Sequence, residues 1–455
     1  MKFISLFLCS ALVLPSLSFA FSPYSNSELD QLEKEFVEQI NQSPQIIRDP
    51  LAKQYIHNLG QRLAQHGGLS TPDFFIVASN EINAFAGPGG HIGVNTQLIL
   101  VSDNESELAG VMGHEMAHVR LHHLYRMLEH EKQMKIPMLA SLLASIALGV
   151  VNPAMGTGAL MATLGGFAQS DINFIRSNEK EADRIGIDVL RKSGLDPRGM
   201  ANFFKKMQLN TRYYYTDNVP TILRTHPMDA DRIAEAESRT ASMQFPAEHD
   251  ELDYQLFKTL IHSIVLTDNK SALEHYKTCS QKNNNPVCRF GYALILMNVN
   301  QYNQAEELLQ QLSLENPNNL YYAVVLSRAQ NGNQHAKIAM EKLQSLLATY
   351  PDNYAILNAL AESAMAANVP DKAEAVFLKT TRLFPKDLPA CESLARAEAA
   401  NRRKNYAYFT AAQCALLQGQ PKEAKRLLKL AQTMNKNDPY LKARIEAKLD
   451  EVSDS

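Results

Sequence analysis

An α+β protein, mainly α, is the fold class that the sequence predicts. An N-terminal unit with a small edge sheet precedes an all-α solenoid of stacked helical hairpins. Three observations carry that reading. The C-terminal half repeats itself with a period of 34 residues. The segment "INAFAGPGGHIGVN" reads as strand, glycine turn and strand. The stretch "GVMGHEMAHVRLHH", Gly110 to His123, lies in a helical run and packs four histidines and a glutamate into fourteen residues.

At 455 residues the chain is long enough for two or three domains. Hydrophobic content of 45%, charged content of 20% and a net charge of −3 describe a globular chain with no basic excess for nucleic acid. The first twenty residues stand apart: Lys2, an apolar stretch from Phe3 to Leu14, then "PSLSFA" with small Ser18 and Ala20. This reads as a signal peptide over 1–20, cut after Ala20 and sending the chain out of the cytoplasm. An uncleaved anchor is the other reading, against which the apolar stretch is short for a spanning helix. Cys9 lacks small residues before it, so a lipoprotein site is not expected.

The N-terminal unit is expected over 21–250. A helical lead runs from Ser27 to Ala64, with Ile40, Ile46, Ile47, Leu51, Tyr55, Ile56 and Leu59 at helical spacing. "DFFIVASN" reads as a strand, and the hairpin and a helical run follow it. Ser102 or Asp103 is the expected cap of the motif helix, with Glu105 and Glu107 in its first turn. The apolar run from Met138 to Val151 would span about 21 Å as a helix, short of a hydrocarbon core of about 30 Å. Residues 138–168 therefore read either as buried core or as a segment that touches a membrane surface or covers the site.

The remainder, 251–455, holds the repeats. Frames starting at Pro286, Leu320 and Tyr354 align without gaps. Position 20 is Ala305, Ala339 and Ala373; position 24 is Leu309, Leu343 and Phe377; position 32 is Pro317, Pro351 and Pro385. A small residue where helices cross, a large apolar one a turn later and a closing proline are what a stacked hairpin needs. Weaker frames begin near Asp253, with Ala272, and at Asn405, with Ala424 and Leu428; Leu388 to Lys404 reads as half a frame. The pattern resembles tetratricopeptide repeats from about Asp253 to Asp438. The consensus tryptophan is absent, and Ala293, Ser327 and Ala361 replace its glycine. Since repeats contact mainly their neighbours, the N-terminal unit is expected to fold without them. Four cysteines lie in this half, an even number that permits disulfides in an exported chain. Cys279 ends one hairpin and Cys288 begins the next, while Cys391 and Cys414 lie on successive helices. Neighbour pairing is thus the favoured one of three connectivities, with four free buried thiols as the alternative.

His114, Glu115 and His118 form HExxH. Histidines four apart on a helix face the same way and can reach one metal ion, for which zinc is well suited. Glu115 has the place of a general base. Downstream, "IRSNEKEADRIGIDVL" puts Glu179 and Asp183 one helical turn apart. Glu179 can be the third ligand, and Asp183 can hydrogen-bond the free nitrogen of a ligand histidine and set its tautomer. Glu181 reads as belonging to a solvated face. His122 and His123 read as lying past the site.

HEMAH with EKEAD resembles the CAAX-prenyl-protease and HtpX-type zinc metallopeptidases, which are gluzincins, over about Ser70 to Ile233. The resemblance implies one zinc per chain on His114, His118 and Glu179, with Glu115 as base and Asp183 in support. It implies that "NAFAGPGG" is an edge strand above the zinc, where Asn83 and Ala84 would contact an extended polypeptide substrate. His226, fixed by Pro227, could stabilise an oxyanion, occupy the open zinc position, or be a plain surface histidine. With signal peptide and repeats attached, the chain resembles the periplasmic members of that family that enhance β-barrel assembly. That likeness implies misassembled outer-membrane proteins as substrates and the outer-membrane assembly machinery as the repeats' partner. The competing expectation is a chaperone or adaptor whose protease site is latent or vestigial.

Overall fold

The structure, a computed structural model, describes residues 26–69, 73–123, 126, 169–213, 220–245 and 252–453. The signal-peptide reading of 1–20 and the membrane-surface reading of 138–168 lie outside these residues. Among the described residues, no helix is long and apolar enough to cross a membrane.

The helical lead is two helices, α1 (Asn26–Gln42) and α2 (Pro50–Gly67). Pro44 cannot continue α1, and Pro50 sits in the first turn of α2, where a missing amide hydrogen costs nothing. The Asp49 carboxylate caps α2 by accepting from the amides of Leu51 and Ala52. Between the helices the backbone is extended. Ile47 N donates to Ile76 O at 2.9 Å, so Ile46 and Ile47 border a strand instead of lining a helix.

Three strands follow: β1 (Phe74–Val77), β2 (Ala84–Ala86) and β3 (Ile92–Asn95). β3 is central, parallel to β1 and antiparallel to β2, so β2 is a sheet edge. Gly89 and Gly90 take φ of 71° and 82° to turn the chain from β2 to β3. Next come α3 (Thr96–Val101) and α4 (Glu105–Arg120), the motif helix. Its cap is Asn104 rather than the expected Ser102 or Asp103. Asn104 accepts from Glu107 N at 2.9 Å, and the Glu107 carboxylate accepts from Asp103 N at 2.8 Å, a reciprocal box. Ser102 instead returns its hydroxyl to Leu98 O at the end of α3. Helices α5 (Gln169–Lys192), α6 (Gly199–Tyr213), α7 (Thr221–Thr225) and α8 (Ala230–Thr240) complete this unit.

The repeats are helix pairs: α9 (Leu252–Val265) with α10 (Asn269–Asn283), α11 (Pro286–Asn298) with α12 (Tyr302–Glu315), and α13 (Leu320–Gly332) with α14 (Ala336–Thr349). They continue as α15 (Tyr354–Ala366) with α16 (Pro370–Leu383), then as α17 (Leu388–Ala400), α18 (Lys404–Leu417), α19 (Pro421–Met434) and α20 (Pro439–Ser453), where α18 packs on both α17 and α19. The period is visible in the caps. Asn285, Asn319, Asn353 and Asp387 each cap a first helix through the side chain. Asn300, Gln334, Asn368 and Arg402 take the left-handed conformation at four turns spaced by the same period. The next left-handed turn is Gly419, with φ of 66°, half a period after Arg402, so α18 packs on α17 before it and on α19 after it. The frame expected from Asn405 is therefore formed, with Ala424 and Leu428 buried on α19, and α17 is the added half. Cys279 is bonded to Cys288 and Cys391 to Cys414, with Cα atoms 5.7 Å apart in each pair.

One apolar cluster runs unbroken from Leu51 on α2 to Leu360 on α15. Tyr55 of α2 stacks on Phe257 of α9, with ring centroids 4.2 Å apart. The Tyr254 hydroxyl donates to Ile99 O and Ser102 O. Asp49 pairs with Arg328 at 2.7 Å, Lys53 pairs with Asp387, and Gln54 accepts from Tyr354 N. The expectation that the N-terminal unit folds without the repeats does not account for this shared core. Burying an aromatic side chain is worth about 1.5–3 kcal/mol, and Tyr254 and Phe257 are both buried. A chain ending at residue 250 should lose several kcal/mol and cooperative unfolding, while one ending at residue 300 keeps both aromatics and retains some of the loss. Denaturant melts of the two truncations and the full chain check this; a residue-250 truncation as stable as the full chain would overturn it.

Candidate metal centre

The centre forms where α4 crosses α5, and Gly186 sets the approach. A Cβ on Gly186 would lie 3.1 Å from His114 N and 3.3 Å from the Gly113 carbonyl carbon. With hydrogen at that position the helices come close enough for side chains on facing turns to share one point. His114 and His118 project from α4, Glu179 and Asp183 from α5. His226 follows α7, whose Ile222 N donates to Ile82 O just before β2.

Four side chains offer donor atoms to that point: His114, His118, Glu179 and His226. Ligands of a tetrahedral zinc at about 2.0–2.1 Å lie about 3.3 Å from one another. His114 Nε2 is 3.0 Å from His118 Nε2, 3.3 Å from His226 Nδ1 and 3.3 Å from Glu179 Oε2. Glu179 Oε1 is 3.4 Å from His118 Nε2 and 3.1 Å from His226 Nδ1. Such converging lone pairs, with three imidazoles and one carboxylate, fit a divalent ion of zinc's size and ligand preference.

Asp183 Oδ1 lies 2.9 Å from His114 Nδ1 as an ion-pair contact, so Nε2 is the nitrogen turned to the donor cluster. Asp183 is itself gripped by Arg232 through two bonds of 2.7 and 2.8 Å. Arg232 also reaches Glu179 Oε2 at 2.9 Å and Pro227 O at 2.8 Å, and is almost wholly buried. Glu115 Oε1 is 3.3 Å from His226 Nε2, so His226 faces the donor cluster with one nitrogen and Glu115 with the other.

Burial acts on every group here, and the partners decide the outcome. Burial would lower His114, but the bonds to Asp183 and Glu179 outweigh it and raise it to about 10. Burial lowers His118 to about 3, more than Glu179 restores. Burial raises the Glu115 carboxyl, against the opposing pull of His226 and His114. Burial would also raise Glu179 and Asp183. His226 and His118 instead hold Glu179 well below the carboxylate range, and His114 and Arg232 hold Asp183 below it. The metal-free chain thus keeps a proton on His114 where an ion would place its charge.

The structure brings together all six residues that the sequence nominates around the motif. Asn83 and Ala84 lie on and beside the edge strand β2, which packs against α4. The Asn83 side-chain oxygen is buried with no hydrogen-bond partner among the described residues. An apolar recess beside His114 and His226 is lined by Phe203, Phe204, Met207 and Ile222. Arg232 is the residue of this centre that the motifs do not point to. Its signal is an arginine on the inward face of an amphipathic helix, at Arg232, Ile233 and Ala236.

Residues 50–240 match the model of peptidase family M48, and residues 267–328 match a tetratricopeptide-repeat model. The β-barrel assembly-enhancing protease of Escherichia coli K12 is 33% identical over 427 residues, 93% of this chain and 87% of that protein. The protein of the same name from Yersinia pestis is 31% identical, over 92% of this chain and 86% of its own length. The mitochondrial metalloendopeptidase OMA1 of Bos taurus is 29% identical and covers 40% of this chain, 35% of its own. With the donor cluster inside the matched segment and the likeness to the assembly-enhancing proteases spanning nearly the whole length, the chain belongs to peptidase family M48.

Proposed function

We propose that this protein is a periplasmic zinc endopeptidase that degrades misassembled outer-membrane proteins. Through its repeats it engages the outer-membrane assembly machinery. The observation that carries the catalytic half is the donor set: His114, His118, Glu179 and His226 with the mutual spacing of a tetrahedral ion's ligands. The likeness to assembly-enhancing proteases over both halves supports the substrate and the partner. Disulfides in the repeats suit an oxidising compartment and support the reading of 1–20 as a cleaved signal peptide.

His114, His118 and Glu179 hold one zinc per chain, with Asp183 and Arg232 fixing His114. When bound, the zinc supplies Lewis-acid polarisation of the scissile carbonyl and the attacking water. Glu115 accepts the water's proton and delivers it to the leaving amine. An extended substrate adds to the free side of β2, held by main-chain bonds, with the orphaned Asn83 oxygen as a further acceptor. His226 restrains this machinery. Its Nδ1 takes the place that water needs in the donor set, and its Nε2 engages Glu115.

Glu115→Gln should abolish casein cleavage yet keep one zinc per chain by metal analysis, since the base is not a ligand. Zinc loss from a folded variant would overturn the assignment.

His226→Ala should raise basal cleavage of an unstructured substrate several-fold, because it vacates a ligand place and releases Glu115. A fall of about 10²–10³ in kcat with unchanged zinc affinity would make His226 an oxyanion donor instead.

A further inference from the structure

Each ligand histidine has a second ring nitrogen, and its partner fixes which nitrogen faces the ion. Asp183 does this for His114. The equivalent place beside His118 is filled by His123 and Glu181, which by sequence read as a residue past the site and a solvated face. His118 Nδ1 is 3.0 Å from His123 Nδ1, and His123 Nε2 is 3.3 Å from Glu181 Oε2. Arg126 Nη1 donates to the same Glu181 oxygen at 3.0 Å. His123 is buried, while the Glu181 side chain is 43% exposed. Past the end of α4 His122 takes φ of 52°, and His123 Nδ1 comes within 3.0 Å of His118 Nδ1.

We infer that His123, held by Glu181, is the positioning residue that fixes the tautomer and orientation of His118. This deepens the zinc reading and rests on it. The proton pattern has one solution. With His118 Nε2 turned to the donor cluster, its Nδ1 carries the hydrogen and donates to His123 Nδ1. His123 Nδ1 is then the acceptor, so its hydrogen sits on Nε2 and points at the Glu181 carboxylate, an acceptor only. Arg126 holds that carboxylate in place. Reversing any one member leaves two donors or two lone pairs facing each other. His118 thus gains through a histidine and a glutamate what His114 gains through Asp183 and Arg232, and both relays end on an arginine.

The test is zinc affinity of the full-length protein by chelator competition, with the absorption of the cobalt-substituted form as a second readout. His123→Phe keeps a ring and removes the acceptor; it should weaken zinc binding about 10–100-fold and shift the cobalt bands. His123→Asn restores an acceptor near the Nδ1 place and should recover most of both. Glu181→Ala, at a half-exposed position that does not threaten folding, should give a smaller loss in the same direction. Wild-type protein that binds no zinc would sink the metal centre itself. Wild-type affinity and spectrum in a folded His123→Phe, equal losses in the Phe and Asn variants, or unchanged affinity in Glu181→Ala should His123→Phe not fold, would overturn the positioning role.

Discussion

The close crossing of α4 and α5 is the constraint on which the site depends. HExxH supplies two donors from one helix turn, but the third must come from another helix at almost the same point. Gly186 allows this by removing a Cβ that would lie 3.1 Å from His114 N. Gly110, a turn earlier on α4, does the same for the packing of α6, where a Cβ would meet the Met200 backbone at 3.0 Å. Glycine inside a helix costs about 1 kcal/mol against alanine. Here that cost sets the distance between ligand sets.

The crossing creates an electrostatic problem that the surrounding residues solve. Glu115, Glu179 and Asp183 are all buried within one small volume. Unpaired buried carboxylates would be neutralised or would drive the helices apart. Arg232 offsets some of this charge by touching Glu179 and Asp183 at once, and its ring neighbour Phe204 lies 5.3 Å from the guanidinium. A divalent ion held by His114, His118 and Glu179 would supply the rest. Breaking such a network at one member leaves the others as uncompensated charge, which explains why Arg232 is buried so completely despite its size.

Much of this is legible in the sequence, and the rest is hidden for identifiable reasons. HExxH and ExxxD are local patterns on helices, and their geometry follows from 3.6 residues per turn. The repeat period is readable because alanine, leucine and proline recur at fixed places. It breaks at Leu388, where half a frame is added and the later turn falls at Gly419. There the apolar cores also break into separate clusters, and Cys391–Cys414 ties α17 to α18. Closing a loop of this length contributes about 3 kcal/mol. Arg232, His123 and Glu181 are not legible as partners. Arg232 and Glu181 meet their targets across elements distant in sequence, and His123 reaches His118 only because the chain turns left-handed at His122.

The shared core follows from the same tertiary logic. α2 is amphipathic on more than one face, so it cannot end its burial at the peptidase. Towards the metal centre, its last turn receives Met116 of α4 at Gly67, and Arg62 holds the carbonyls of Ser193 and Gly194 that follow α5. Towards the repeats, Tyr55 stacks on Phe257 while Lys53 and Gln54 reach α15 and the start of α17. One helix therefore packs on α4 between its two ligand histidines and on the far end of α5, and also forms the floor against which the solenoid packs. A solenoid alone transmits contacts only between neighbours. Docked on α2, this one bears on α4 and α5 through that helix, so the position of the repeats and the geometry of the donor set belong to a single packing solution.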